Sequence, residues 1–190
     1  MTSSTLTPWA TRVTALTGLA WLTISLLSLY HREPQDYLDA VMLAPLTLSI
    51  GAISAVYLAQ REQLGRLGRA SYPFAVGALV ALAAGQSLHL ADLETARNIV
   101  LIPGVIGWIV SYILFGIATV RARVLPAWVG ILIALSEPLT ILSGVALSPI
   151  APLSDFGGYS GAIAHALIWL AIANVLRSQT ATVIQKPMTA

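Results

Sequence analysis

Four side chains that hydrogen-bond or exchange protons stand where the surrounding chain is apolar: Gln86, His89, Glu137 and His165. A carboxyl and an imidazole are the usual groups of general acid–base chemistry. Glu137 could serve as the acid–base, with His165 tuning it. The same groups mark substrate or proton paths when they lie inside a membrane, where an ionisable side chain is costly. Glu137 is followed by Pro138, which has no N–H to donate and frees a carbonyl one turn earlier.

Composition supplies the reason to think of a membrane. Of 190 residues, 57% are hydrophobic and 9% charged, against roughly 25% charged in soluble domains. Hydrocarbon is the solvent that suits such a chain. A net charge of +2, without a basic and aromatic cluster, gives no nucleic-acid surface. The absence of cysteine excludes disulfides, thiolate metal sites and cysteine nucleophiles. There is no phosphate loop, nucleophile elbow or HExxH motif. The only lysine is Lys186, near the end of the chain, so no intramembrane Schiff base forms. No cofactor is expected.

Six apolar segments are long enough to span a core of about 30 Å, near 10–30, 37–59, 71–90, 99–120, 125–147 and 158–177. The fold expected is all-α: one polytopic bundle of six transmembrane helices over residues 1–178, then a polar, disordered tail over 179–190. The first segment reads as a retained helix, since Val13 to Tyr30 is longer than a signal-peptide core and no small-residue cleavage site follows. Of the ten basic residues, all but Arg32 and Arg97 fall on one side of such a bundle. Basic loops face the cytoplasm, so both termini are expected inside. Glu33, Asp36, Asp39, Asp92, Glu94 and Asp155 fall on the opposite side. His31, Asp36, Asp39, His89, Asp92 and Glu94 offer oxygen and nitrogen donors, but without a recognised metal spacing. They read as a solvated acidic face, with no metal.

Depth then relates the polar residues to one another. Glu137 lies about 18 Å along helix 5 from Leu125, and His165 about 11 Å into helix 6, at about 1.5 Å per residue. With a core of about 30 Å, both sit at similar distance from the outer surface on antiparallel neighbours, so a Glu137–His165 pair is expected. Thr140, Gly144 and Ser148 continue the Glu137 face. Gln86 and His89 approach from helix 3, and Trp108, Ser111 and Tyr112 lie at compatible depths on helix 4. The expected ligand-binding set is Gln86, His89, Trp108, Ser111, Glu137, Thr140 and His165, around an outward-opening polar pocket.

Small residues are expected to bring helices together. Helix 3 has Pro73, Gly77, Ala81 and Gly85 four apart, leading to His89, and helix 6 opens with Gly157 and Gly161. Such faces also suit homo-oligomers. Thr14, Thr17, Trp21, Ser25 and Ser28 form a stripe on helix 1 that either packs or lines a pore. Three spans per half would orient the halves oppositely, as in inverted-repeat transporters, but Pro45 and Pro138 are the only corresponding interruptions.

The stretch Phe115 to Gly130, with Arg121, Arg123, Leu125-Pro126, Trp128 and Gly130, resembles a pattern common in small uncharacterised bacterial multi-helix integral membrane proteins. The resemblance covers the C-terminal third to half of the chain. It implies a bacterial plasma membrane and carries no activity. Three functions suit the polar cluster: binding or transport of a small apolar or amphipathic molecule, intramembrane catalysis on an apolar or lipid-like substrate, and a structural or regulatory subunit needing no pocket. Topology is directly testable. Reporter fusions after Asp36, Asp92 and Asp155 should all report the outside; a cytoplasmic signal from any one would break the six-span arrangement.

Overall fold

With no water in the hydrocarbon, each backbone N–H and C=O must be satisfied inside its own segment, which favours helices. The computed structural model bears this out. It describes residues 3–30, 36–147, 149 and 159–184, with side chains for 8–29, 37–147, 149 and 159–179. Six helices follow in order: α1 Ser3–Tyr30, α2 Asp36–Gln60, α3 Arg66–Leu90, α4 Glu94–Ala122, α5 Ala127–Leu147 and α6 Ala162–Ile184. All six are long and apolar enough to cross a membrane. The expectations for His31, Arg32, Glu33, Ser148, Asp155, Gly157 and Lys186, and for the side chain of Asp36, lie outside the described residues.

Each helix packs mainly on its neighbours in sequence, and α6 closes the ring on α1. One end carries Asp39, Asp92 and Glu94; the other carries Arg61, Arg66, Arg69, Arg121 and Arg123. At the acidic end, α3 turns into α4 through Asp92 in the left-handed region, φ 57°. Its N–H bonds the His89 carbonyl at 2.9 Å, and the Leu93 N–H bonds the Leu88 carbonyl at 3.0 Å. This is a Schellman turn, and a short polar side chain tolerates its left-handed position. The turn sets His89 beside Glu94.

Helix ends differ from the hydropathy reading in two places. The tail expected from residue 179 is helical as far as Ile184, because hydropathy marks where lipid ends rather than where the helix ends. The expected start of helix 6 at 158 is replaced by turns at 159–161, with α6 beginning at Ala162. Tyr159 and Ser160 are buried. The Ser160 carbonyl accepts from Ser25 Oγ on α1 at 3.0 Å, and the Gly161 carbonyl from Ser143 Oγ on α5 at 3.0 Å. Non-helical backbone thus sits inside the end of the bundle, where protein groups satisfy it.

The two polar or small stripes behave differently. On α1, Thr14, Thr17, Trp21, Ser25 and Ser28 are all buried. Their steps of three and four residues average near the helical period, so the stripe stays on one face. On α3, Pro73 and Gly77 are exposed and line an open groove with Pro103, Gly104 and Gly107 of α4, while Ala81 and Gly85 meet α4 at Gly104 and Leu101. A constant step of four drifts by about 40° each time around a helix of 3.6 residues per turn. The first half of the stripe is therefore not packed against another helix of the bundle.

α4 and α5 cross most closely near the arginine-rich end. A methyl added at Gly130 would stand 2.5 Å from the Gly116 carbonyl oxygen, and one at Gly116 would stand 2.6 Å from the Ala134 nitrogen. Backbone meets backbone there, so neither side can yield. Gly116→Ala should destabilise by about 1–3 kcal/mol through overpacking. Gly77→Ala meets open space and should leave stability unchanged or raise it by up to about 1 kcal/mol. Unfolding both variants in one detergent checks this; equal behaviour would refute the crossing.

Candidate functional site

Glu137 projects from α5 into the ring of helices and is 7% exposed, while His165 on α6 is fully buried. Glu137 Oε1 stands 3.0 Å from His165 Nε2. The approach is at ion-pair distance but is not a well-directed hydrogen bond, and neither atom has a hydrogen-bond partner among the described residues. The pairing expected from depth is therefore present.

Thr140 fixes the protons of this pair. Its hydroxyl donates to the Ser136 carbonyl at 2.8 Å, one turn earlier on α5. A hydroxyl has one hydrogen, so at the 2.6 Å contact with His165 Nδ1 Thr140 Oγ1 accepts, and Nδ1 carries the proton. At 3.0 Å a carboxylate and a bare Nε2 lone pair would repel, so the contact is attractive only with a proton between Glu137 and Nε2. It sits on the carboxyl or on the imidazole, and the pair is neutral either way.

Two tryptophans enclose the imidazole. Trp21 on α1 and Trp108 on α4 stack with centroids 6.2 Å apart and planes at 13°. His165 meets them edge-on at 4.8 Å and 5.2 Å, within the range of cation–π attraction. Trp21 is held by its indole N–H, which donates to Ser49 Oγ on α2 at 3.0 Å. The Trp108 indole N–H and the Tyr112 hydroxyl, whose ring lies edge-on to Trp108 at 5.8 Å, are buried without hydrogen-bond partners among the described residues.

A cavity of about 260 Å³ opens in front of the pair. Every helix contributes to its wall: Trp21; Met42 and Leu46; Leu82 and Gln86; Leu101, Val105, Trp108 and Ile109; Glu137, Thr140 and Ile141; and His165. Its most exposed members are Val105 and Ile141, 39% and 54% accessible, on α4 and α5. The wall is thus most exposed between these two helices. Towards the arginine-rich end, Tyr112, Phe115, Ile133, Trp169 and Ile172 fill the axis and are fully buried.

A second polar cluster ties the acidic end together. Asp39, near the start of α2, is 4% exposed, not part of a solvated face as its position suggested. It accepts from the Gln86 amide and the Tyr159 hydroxyl, and its other oxygen lies 3.1 Å from His89 Nε2. His89 Nδ1 meets Glu94, which also binds Arg97 at 3.0 Å. Both ring nitrogens of His89 thus face a carboxylate, and Arg97, Glu94, His89 and Asp39 form one chain of contacts.

Of the residues expected to bind a ligand, Gln86, Trp108, Glu137, Thr140 and His165 line the cavity, whereas His89 and Ser111 do not. His89 is taken up by the two carboxylates. Ser111 turns its hydroxyl back to the Trp108 carbonyl at 3.0 Å, the usual local satisfaction of serine in a helix. Trp21, expected on a stripe that packs or lines a pore, lines the cavity; Asp39 was expected beside His89 only as part of a solvated face, and Tyr159 was not expected. For Asp39 a signal existed: the apolar run of helix 2 begins before it, so it is an acid already inside a span.

Comparison with protein-family models, curated proteins and solved structures gives no match.

The pair can be tested by a double-mutant cycle. Glu137→Gln and His165→Ala should each destabilise the protein, and the double mutant should cost less than their sum by about 0.5–3 kcal/mol. Strict additivity in detergent unfolding would show that the two side chains do not interact.

Proposed function

We propose that this chain is a bacterial plasma-membrane protein that binds a small, largely apolar molecule between its helices, the Glu137–His165 pair meeting its polar group. The observation that carries this reading is a buried acid–base pair, its facing atoms free of other hydrogen bonds, opening on a cavity walled by all six helices. A carboxyl and an imidazole in an apolar wall are what orient a ligand that the wall itself cannot orient. By the positive-inside rule the cavity lies in the outer half of the bilayer. Its exposed Val105 and Ile141 favour entrance from the lipid between α4 and α5. The packed axis beyond Tyr112 favours a one-sided binding site over an open channel. A docking subunit would need no such cavity.

One observation favours a second reading, intramembrane catalysis. Thr140 engages His165 Nδ1 and so turns the other ring nitrogen, Nε2, to Glu137, an arrangement suited to general acid–base transfer on an apolar substrate.

A cavity of 260 Å³ holds on the order of ten to twelve non-hydrogen atoms, judged from benzene filling about 150 Å³. Native mass spectrometry of protein released from the membrane should show a retained molecule of about that size. Val105→Trp and Ile141→Trp, at the half-exposed mouth, should cut its occupancy at least about tenfold while the fold survives. Full retention in both variants would place the molecule elsewhere.

A further inference from the structure

Resting on that binding reading, we infer that the ligand is a hydrophobic amine, bound as its ammonium ion in exchange for the one proton that Glu137 and His165 share. The wall of the cavity contains no arginine or lysine. An anion would therefore be buried beside Glu137 with no fixed positive charge to meet it, at a cost of several kcal/mol in so apolar a site. That disfavours carboxylates and phosphates. The wall does contain what an ammonium needs: one carboxyl and two tryptophan rings, which already hold the His165 imidazole at cation–π distances of 4.8 Å and 5.2 Å.

Charge balance then dictates the exchange. In the empty site, Glu137 and His165 with their shared proton are neutral. If an ammonium entered and the proton stayed, the site would carry an uncompensated positive charge. If the proton leaves to water, Glu137 is a carboxylate, His165 a neutral imidazole still donating through Nδ1 to Thr140, and the ammonium is the counter-ion. No bond other than those to the transferred proton changes, and the site remains neutral. Few other groups bear on this titration. From α4 only the Tyr112 hydroxyl is titratable and near. α1 turns Trp21 to the pair, and α3 turns Gln86. Asp39 and His89 lie behind Gln86, in a chain of contacts with Glu94 and Arg97.

Two probes of equal size separate charge from shape: 1-adamantylamine, an ammonium ion near neutral pH, and 1-adamantanol. Binding to the full chain in lipid nanodiscs is followed by tryptophan fluorescence, since Trp21 and Trp108 line the cavity. Proton release is read by calorimetry in two buffers of different ionisation enthalpy. The amine should bind at least about tenfold more tightly than the alcohol near pH 8, release about one proton, and gain about tenfold in affinity per pH unit for as long as the free pair keeps its proton. Glu137→Gln should remove at least about tenfold of the amine's affinity. If the alcohol binds as tightly as the amine, or the amine releases no proton, the exchange is refuted while the binding cavity stands. If neither probe binds and no molecule is retained in native mass spectrometry, both readings fall. Should Glu137→Gln fail to fold, proton release by the unmodified protein decides alone.

Discussion

Inside hydrocarbon a polar group has no partner except the protein, and this one constraint orders the bundle. Backbone groups are satisfied by helix formation. Hydroxyls follow the same rule by turning back to the carbonyl three or four residues earlier, as Thr14, Thr47, Ser54 and Ser136 do. Larger polar side chains cannot close on their own helix and must cross to another. Trp21 reaches Ser49, Gln60 reaches Thr119, and Asp39 gathers Gln86, His89 and Tyr159. Each crossing ties two elements of the ring. Among the described residues, unpartnered buried atoms occur singly at Thr11, Gln60 and Arg97, but Trp108, Tyr112, Glu137 and His165 bring theirs together around one place. The constraint is thus relaxed most where the cavity is.

The sequence makes the helix count legible because lipid imposes it. Spans, their order and the segregation of charge all follow from where apolar runs stop. Depth is legible too, since it is a count along a helix. That is why Glu137 and His165 could be matched before any coordinates. Rotation is harder. Steps alternating between three and four hold the α1 stripe to one face, whereas the repeated step of four on α3 winds away from it, leaving Gly77 in the open. Asp39 was hidden by a different ambiguity: an acid near a helix end reads equally as solvated or as buried with partners. What decides is the approach of Gln86 and Tyr159 from distant parts of the chain, and local pattern does not encode that.

The start of α6 shows how the two kinds of polar satisfaction combine. A helix beginning at the membrane surface would carry Tyr159 as an ordinary span residue. Instead the turn at 159–161 is buried, its carbonyls capped by Ser25 and Ser143, and Tyr159 reaches Asp39. His165 consequently lies just one turn into α6, yet it meets Glu137 well inside α5. The serines of α1 and α5 thus set the depth at which α6 begins, and so the depth of its histidine.

Gln86 is the link between the two clusters, and its bonding limits how a ligand can sit. Its amide N–H₂ donates to Asp39 while its side chain forms part of the cavity wall. A ligand that drew this amide donor away would leave a buried carboxylate short of a hydrogen bond, at a cost of about 1–3 kcal/mol or more. The opposite wall has no such restraint, because the facing atoms of Glu137 and His165 have only each other. The polar end of any ligand is therefore better placed towards α5 and α6, with its apolar part against Leu82, Leu101 and Val105. That orientation leaves the acidic-end cluster intact whether the cavity is empty or filled.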